Sequence, residues 1–326
     1  MSFKRVVTAL AVAIGIASSA ASAAKELRLG LIVPGTHEWS QAAVAMGKDL
    51  EKKSEGKYSV TVFPAGQLGN EAQMLQQLQT GALDMAFMTV AEITNRVPDF
   101  GALFAPYLVR DVRESGLLLN GPTAQKMLGR LPREIGAVGV GYGGASMRLM
   151  LNAFPTNNVG DIKGRKMRIT PFPPVRDFYQ LLGAASTPMP VTDVYDSLAN
   201  GQVDGVDADM ELVWRMKFYE RGKTLLYSSH MMFPVIGLVS GRVWQQLPPA
   251  DRELISSTAK QHLNGLFDSY MQVEKEMLKN IQGTNVNVKV AGPEFFGDTL
   301  EKWEEIWLKR TPVLADLRKE SAALRK

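Results

Sequence analysis

The sequence predicts an α/β protein of two domains. Three observations carry this: strand-like and helix-like segments alternate over residues 27–88, the alternation resumes after residue 137, and one later helical pattern is too long for a single domain. Leu27 to Val33 reads as a buried strand, and a helix follows from about Trp39 to Ser54, closed by Gly56. Tyr58 to Phe63 alternates as a strand. Asn70 caps a helix that runs to Thr80, with Gly81 as its stop, and Leu83 to Met88 is strand-like again. A β-α-β-α-β order of this kind favours a mostly parallel sheet with helices on its faces.

Further strands are expected at Ala137 to Tyr142, around Arg148 within Ala145 to Phe154, at Lys166 to Thr170, Val203 to Val206, Val235 to Ser240 and Val286 to Val290. Thr192 is placed to cap a helix ending at Gly201, and a helix is expected from Asp209 to Phe218. From Pro248 to Gln282 apolar residues recur at helical spacing, between Pro248-Pro249 at the start and Gly283 at the stop. Unbroken, that helix spans roughly 50 Å at 1.5 Å per residue, against about 30 Å for a small domain. It either braces two domains or kinks near Gly265. No Ser/Pro-rich tether separates the halves, so extended strands are expected to make the crossing.

Residues 1–23 read as a signal peptide: Lys4 and Arg5, an apolar run from Val6 to Ile16, then Ala21-Ser22-Ala23 as the cleavage signature. Cutting there removes two basic residues and lowers the formal charge from +4 to +2. That is too small for a nucleic-acid footprint, and no basic block appears. Cysteine is absent, which excludes disulfides and thiolate metal sites. Hydrophobic residues at 45% with nearly balanced charge argue against disorder.

Catalytic motifs are missing. The three histidines, His37, His230 and His262, are far apart, and there is no G-x-S-x-G elbow. Asp204, Asp207, Asp209 and Glu211 cluster without the spacing of a calcium loop. Gly139-Val-Gly-Tyr-Gly-Gly144 matches G-x-G-x-x-G, but no phosphate-binding helix is expected after it; the glycines there suit close backbone approach near a crossing. No metal or cofactor is expected.

Two arginines stand out. In Lys166-Met-Arg168-Ile-Thr170, strand alternation puts Arg168 on the face opposite Met167 and Ile169, and Pro171-Phe-Pro-Pro174 ends the strand just beyond. Open α/β sheets bind ligands beyond the carboxyl ends of their strands. Arg148 lies twenty residues earlier on a second strand-like segment. A guanidinium is a rigid planar fork that matches a carboxylate. If both arginines share a cleft, the ligand is a small organic acid; the alternative is a pair of surface arginines in weak salt bridges.

Five segments, taken together and in order, resemble the solute-binding receptors of tripartite ATP-independent periplasmic (TRAP) transporters of the dicarboxylate-binding (DctP) type. They are Phe63-Pro-Ala-Gly-Gln-Leu-Gly-Asn-Glu71, Gln76-Gln-Leu-Gln-Thr-Gly-Ala-Leu-Asp84, Asp161-Ile-Lys-Gly-Arg-Lys-Met-Arg168, Pro188-Met-Pro-Val-Thr-Asp-Val-Tyr195 and Ser197-Leu-Ala-Asn-Gly-Gln-Val-Asp-Gly205. The resemblance implies a periplasmic binding protein-like fold of two α/β lobes with crossing hinge strands and a long helix spanning both. Lobe I would hold residues 24–145 and 234–273, and lobe II residues 146–233 and 274–326. It implies that Arg168 pairs with the ligand carboxylate, assisted by Arg148, with Glu71 and Thr89 on the opposite wall and Phe172 and Val191 beside the ligand. Trp39, Phe233 and Trp214 are candidates for an apolar or stacking wall.

One departure is evident. The family usually continues Gln-Glu-Asn-Pro after Val-Asp-Gly, whereas here Val206-Asp207-Ala208-Asp209 follows, so Ala208 stands in place of an amide that often holds the carboxylate. Asp207 and Asp209 either accept hydrogen bonds from the ligand or cap the next helix. The implied function is capture of a small organic acid by hinge closure and delivery to small and large membrane permease subunits, by a periplasmic monomer. A periplasmic enzyme using the acidic cluster and Tyr195, or a ligand-presenting sensor subunit, are the alternatives.

Overall fold

Residues 24–325 are described in a computed structural model; the expected signal peptide, residues 1–23, lies outside them. The strands are β1 (Lys25–Gly30), β2 (Tyr58–Phe63), β3 (Met85–Thr89), β4 (Ala137–Gly143), β5 (Leu149–Asn152), β6 (Lys166–Ile169), β7 (Ala185–Pro188), β8 (Gly205–Ala208), β9 (Thr224–Tyr227), β10 (Val235–Ser240) and β11 (Asn287–Val290). They form two sheets, ordered β2-β1-β3-β10-β4 and β11-β9-β5-β8-β6-β7. Each sheet has a parallel set at one end, β2-β1-β3 in the first and β7-β6-β8 in the second. Each also holds one strand antiparallel to both neighbours: β10 in the first sheet and β5 in the second.

Those two antiparallel strands lie next to the crossings. The chain leaves the first sheet after β4 and enters the second as β5; it leaves the second after β9 and returns as β10. The two connecting segments hydrogen-bond to each other, Arg148 N–H to the Met231 carbonyl at 2.8 Å and His230 N–H to the Arg148 carbonyl at 3.1 Å. This explains why the strand expected from Ala145 starts only at Leu149. Residues 144–148 belong to no strand, and Arg148 pairs by its backbone with the other crossing and not with a sheet.

The helices are α1 (Glu38–Lys53), α2 (Glu71–Thr80), α3 (Val90–Arg96), α4 (Val112–Leu119), α5 (Pro122–Ile135), α6 (Pro173–Leu181), α7 (Val194–Ala199), α8 (Met210–Arg215), α9 (Gly241–Gln246), α10 (Pro249–Gln282), α11 (Thr299–Arg310) and α12 (Val313–Ala323). Asn70 caps α2 as expected, in a reciprocal box with Gln73, and Gly81 ends it in the left-handed conformation. Thr192 does not cap α7. A 3-10 turn over Val191–Asp193 intervenes, and the Thr192 hydroxyl donates to the Asp193 carboxylate at 3.0 Å. Pro173 and Pro174, expected only as a strand terminator, open α6, where their missing N–H groups cost nothing.

Helix α10 runs unbroken for 34 residues and packs on α1, α4 and β4 from the first half and on α8 and β11 from the second. It is the long helix that touches both lobes. Gly265 does not interrupt it. The glycines of β4 and the segment after it explain how close α10 can lie. A Cβ on Gly141 would meet the Lys260 Cα at 3.3 Å, and one on Gly143 would meet the Leu263 carbonyl oxygen at 2.9 Å and Leu266 at 2.8 Å. Gly143→Ala is therefore expected to destabilise the protein by about 1–3 kcal/mol in denaturant unfolding, because helix backbone cannot swing aside as a side chain does. Gly265→Ala, with nothing within 4 Å of the added methyl, should stabilise by about 0.4–1 kcal/mol.

Candidate functional site

The ends of the parallel strands of both sheets converge on one cavity of about 450 Å³. Ile32 and Val33 follow β1, Thr89 ends β3, Thr170 follows β6 and Asp209 follows β8, and all five line it. The cavity therefore lies where open α/β sheets present their ligands.

Arg168 is the chemically decisive wall residue. Its strand, β6, is flanked by β7 and β8, so the guanidinium is only 2% exposed. It donates to backbone oxygens alone: Nε at 3.2 Å and Nη2 at 2.8 Å to the Met189 carbonyl, Nη1 at 3.2 Å to the Asp207 carbonyl. No salt bridge to a carboxylate is found for it among the described residues. Burial first, then the neighbouring Arg148 charge, push its pKa down to about 9, so it stays protonated at neutral pH. A buried cation without a contacting counter-ion is costly, and the charges of Asp207, Asp209 and Asp193 offset only part of that cost.

Arg148 is arranged in the opposite way. Its Nε donates to Asp207 Oδ1 at 2.6 Å, Nη2 donates to the same carboxylate and to the Asp207 carbonyl, and Nη1 lies 3.5 Å from Asp209 Oδ2. Its guanidinium also sits 4.3 Å from the centre of the Phe233 ring. Asp207 is 0% exposed, and its other oxygen faces the Tyr179 hydroxyl at 3.0 Å and His230 Nε2 at 3.1 Å. Burial alone would raise its pKa; Arg148 and then His230 override that and hold the carboxyl down at about 2.

Across the cavity, Glu71 opens α2 and accepts from Thr89 twice, from the backbone N–H at 2.6 Å and the hydroxyl at 2.7 Å. Burial pushes the Glu71 carboxyl up to about 7; the Thr89 hydrogen bonds and Arg168 oppose this, and Glu92 adds to it. His37 caps α1 with Nδ1, which accepts from Trp39 N–H at 3.2 Å, while Nε2 faces Glu211 at 3.1 Å. Burial lowers its pKa to about 4, so it is neutral with the proton on Nε2. Glu211, at the start of α8, also accepts from the first backbone N–H of α1 (Glu38, 2.9 Å) and from the Tyr270 hydroxyl of α10 (2.5 Å). One buried carboxylate thus ties α8, α1 and α10 together beside the cavity.

Compared with protein-family models, residues 29–311 match DctP, the bacterial extracellular solute-binding proteins of family 7. The chain belongs to the DctP family. It is a TRAP-transporter solute-binding protein and not an enzyme. This DctP-family chain is 26% identical over 302 residues to the sialic acid-binding periplasmic protein SiaP of Vibrio cholerae, covering 91% of this chain and 93% of that one. Among solved structures it is similar to TRAP periplasmic solute-binding proteins from Xanthobacter autotrophicus (25% identity) and a Bradyrhizobium species (28%), both bound to galacturonate. The TM-score is 0.85 for each, and the match covers 91% of this chain and 99% of theirs. Among the described residues no helix is long and apolar enough to cross a membrane.

The cavity of this DctP-family protein is lined by Arg168, Arg148, Glu71, Thr89, Val191, Trp39 and Phe233. Three expected residues are not on its wall. Phe172 lies behind it, edge-on to Phe104 (4.4 Å between ring centres) and to Phe233 (6.0 Å). Asp207 is corrected likewise: with Arg148, Tyr179 and His230 on its oxygens, it has no atom left for a ligand. Asp209 takes the capping alternative, accepting from Leu212 N–H at 2.9 Å, while also reaching the cavity. Trp214 stacks on Tyr219 instead. Reasoning from sequence missed His37 and Thr170; only His37's place just before a helix start hinted at a role.

Proposed function

We propose that the protein captures a small organic acid between its lobes by pairing the ligand carboxylate with Arg168, and delivers it unaltered to a membrane permease of small and large subunits. The observation that carries this reading is a buried, protonated guanidinium on a cavity wall with no carboxylate partner of its own. A ligand anion would complete it, as a charge-assisted and geometrically matched pair. Support comes from the family and from the galacturonate bound in two similar structures. Glu71, Thr89, Val191, Trp39 and Phe233 shape the rest of the site in this reading, and Arg148 acts as a second positive charge held in place by Asp207.

The lobes are proposed to divide at residues 145/146, 233/234 and 273/274. The packing of α12 on α4, α5 and the turn over Pro98–Phe104 supports one change to that division, with this last helix returned to the first lobe and the rest of residues 274–326 left in the second. A monomer is the working form in this proposal. Closure on the ligand would shift a two-state hinge by the ligand's differential affinity for the closed form.

Calorimetry with carboxylates and their primary amides tests the reading: the acids should bind and the amides should not. The pH profile adds a second check. Glu71 is charged above about 7, and a carboxylate on Arg168 cancels the attraction that favours that charge. Affinity should therefore fall as pH rises through about 7. Glu71→Gln should flatten the profile. The sign for folding is the same: burial penalises the ionised form, so stability is lost as pH rises from the ordinary 4.5 towards about 7. Amides that bind as well as acids would remove the anion from the account.

A further inference from the structure

We infer that Glu211 is a latch, whose carboxylate fastens the two lobes together beside the cavity and so holds the closed form; this rests on the closure reading above. Helix α1 follows β1 of the first sheet and α8 follows β8 of the second, and Glu38 and Glu211 stand 173 residues apart in the chain. Yet the Glu211 carboxylate is completely buried against the start of α1. Its Oε1 accepts from Glu38 N–H at 2.9 Å and from Arg215 Nε at 2.6 Å. Its Oε2 accepts from the Tyr270 hydroxyl at 2.5 Å and from His37 Nε2 at 3.1 Å. Two donors on each oxygen satisfy a carboxylate in full. Around this centre Arg215 Nη2 reaches Glu38 Oε1 at 3.3 Å, and the Ser269 hydroxyl of α10 donates to Glu38 Oε2 at 2.6 Å. The contact between Asn95 on α3 and the Pro171 carbonyl just beyond β6, at 3.0 Å, also joins the two sides, but it is exposed and uncharged.

When the lobes part, Glu211 keeps Arg215 of its own helix but loses the donors at the start of α1, and water takes their place. A hydrogen bond to a charged group is then worth on the order of tenfold or more in the closing equilibrium. The negative charge also faces the positive end of the α1 dipole only while the lobes are together. A half-closed form, with Glu211 already stripped of water but His37 and the Glu38 N–H out of reach, is penalised as a buried unpaired charge. That makes the closure sharp. The latch is also joined to the binding cavity: His37 lines it, and so does Asp209, two residues before Glu211. Glu211 and Arg215 themselves line no part of it, so they act on affinity through the closed population and not through contact with the ligand. A weaker latch therefore speeds ligand release and leaves capture by the open form unchanged.

Binding kinetics and label-to-label distances on the mature protein test this together. The chain has no cysteine, so Lys48→Cys on α1 and Asp196→Cys on α7, both exposed, accept spin labels without competition. The binding probes are galacturonate, succinate, pyruvate and phenylacetate. Glu211→Gln is expected to speed release of any probe that binds wild type by at least about tenfold, with association within about twofold, and to move the label distances towards the longer, open population. Arg215→Met should act in the same direction, by up to about fivefold. Unchanged release and unchanged distances in Glu211→Gln would overturn the latch even if the variant melts earlier, since a purely structural tie moves only the melting temperature. Should Glu211→Gln fail to fold, Arg215→Met decides by the same two readouts. If none of the probes binds wild type, the organic-acid reading falls, and the latch is judged on ligand-free protein alone: a longer distance in Glu211→Gln upholds it, and an unchanged one overturns it.

Discussion

Arg168→Met is expected to abolish carboxylate binding while the ligand-free protein melts at the same temperature or higher. The binding loss follows from the partner left behind. A ligand carboxylate drawn into the cavity without its guanidinium keeps a buried, unpaired charge, and truncations of that kind cost about 2–5 kcal/mol or more. That corresponds to roughly 30- to 5,000-fold in affinity. Arg168→Lys should be nearly as damaging, because a single ammonium cannot reproduce the fork that holds Met189 O, Asp207 O and an anion together.

The stability half of this result distinguishes a ligand anchor from a structural ion pair. Burying a cation with no contacting counter-ion costs several kcal/mol, offset in part by the charges of Asp207, Asp209 and Asp193, and Met of similar length removes the remaining cost. Against this stands the Met189 carbonyl, which loses both of its Arg168 donors; an acceptor left without a partner costs about 1–3 kcal/mol. The balance is neutral to favourable. Thermal melts with and without ligand measure both halves. A variant that unfolds several degrees earlier without ligand would make Arg168 a structural residue.

Much of this was legible before any coordinates. The sustained 3.6-residue period between Pro249 and Gly283 fixed α10, and the paired signals Asn70 and Gly81 fixed α2. Local patterns could not reveal that β5 and β10 each insert antiparallel into the sheet across the hinge, since strand order is a long-range property. Helix α5 carries Gly129 and Pro132 inside it, which blurs its helical signature, and α6 hides behind prolines that read equally well as a stop. In the site, the position of Arg168 near a strand end was enough to single it out. The division of labour between the two arginines was not visible. It depends on Asp207, 59 residues from Arg148 and shielded by Tyr179 and His230, elements that only tertiary packing brings together.

That division of labour leads to the second large effect: Asp207→Asn is expected to destabilise the protein by about 3–5 kcal/mol, the cost of leaving a buried charge without its partner. Arg148 would keep the Asp207 main-chain carbonyl and the Phe233 ring, but its only remaining carboxylate contact would be the 3.5 Å one with Asp209, so it would stand beside Arg168 as a second poorly compensated guanidinium. The effect should depend on pH in one direction. The folded-state pKa of Asp207, about 2, lies below its ordinary 3.8, so its contribution is fully present above about 3.8 and is lost as pH falls through 2. Wild type and variant should therefore differ most near neutrality and converge in strong acid, in denaturant titrations across that range. Ligand provides a further check on the cause. An anion bound near the two guanidiniums would replace part of the missing carboxylate charge, so a saturating acid should raise the melting temperature of Asp207→Asn more than that of wild type. Equal stabilisation of both proteins would mean that Arg148 stays outside the field of the bound anion, and the second positive charge would have to be removed from the binding account.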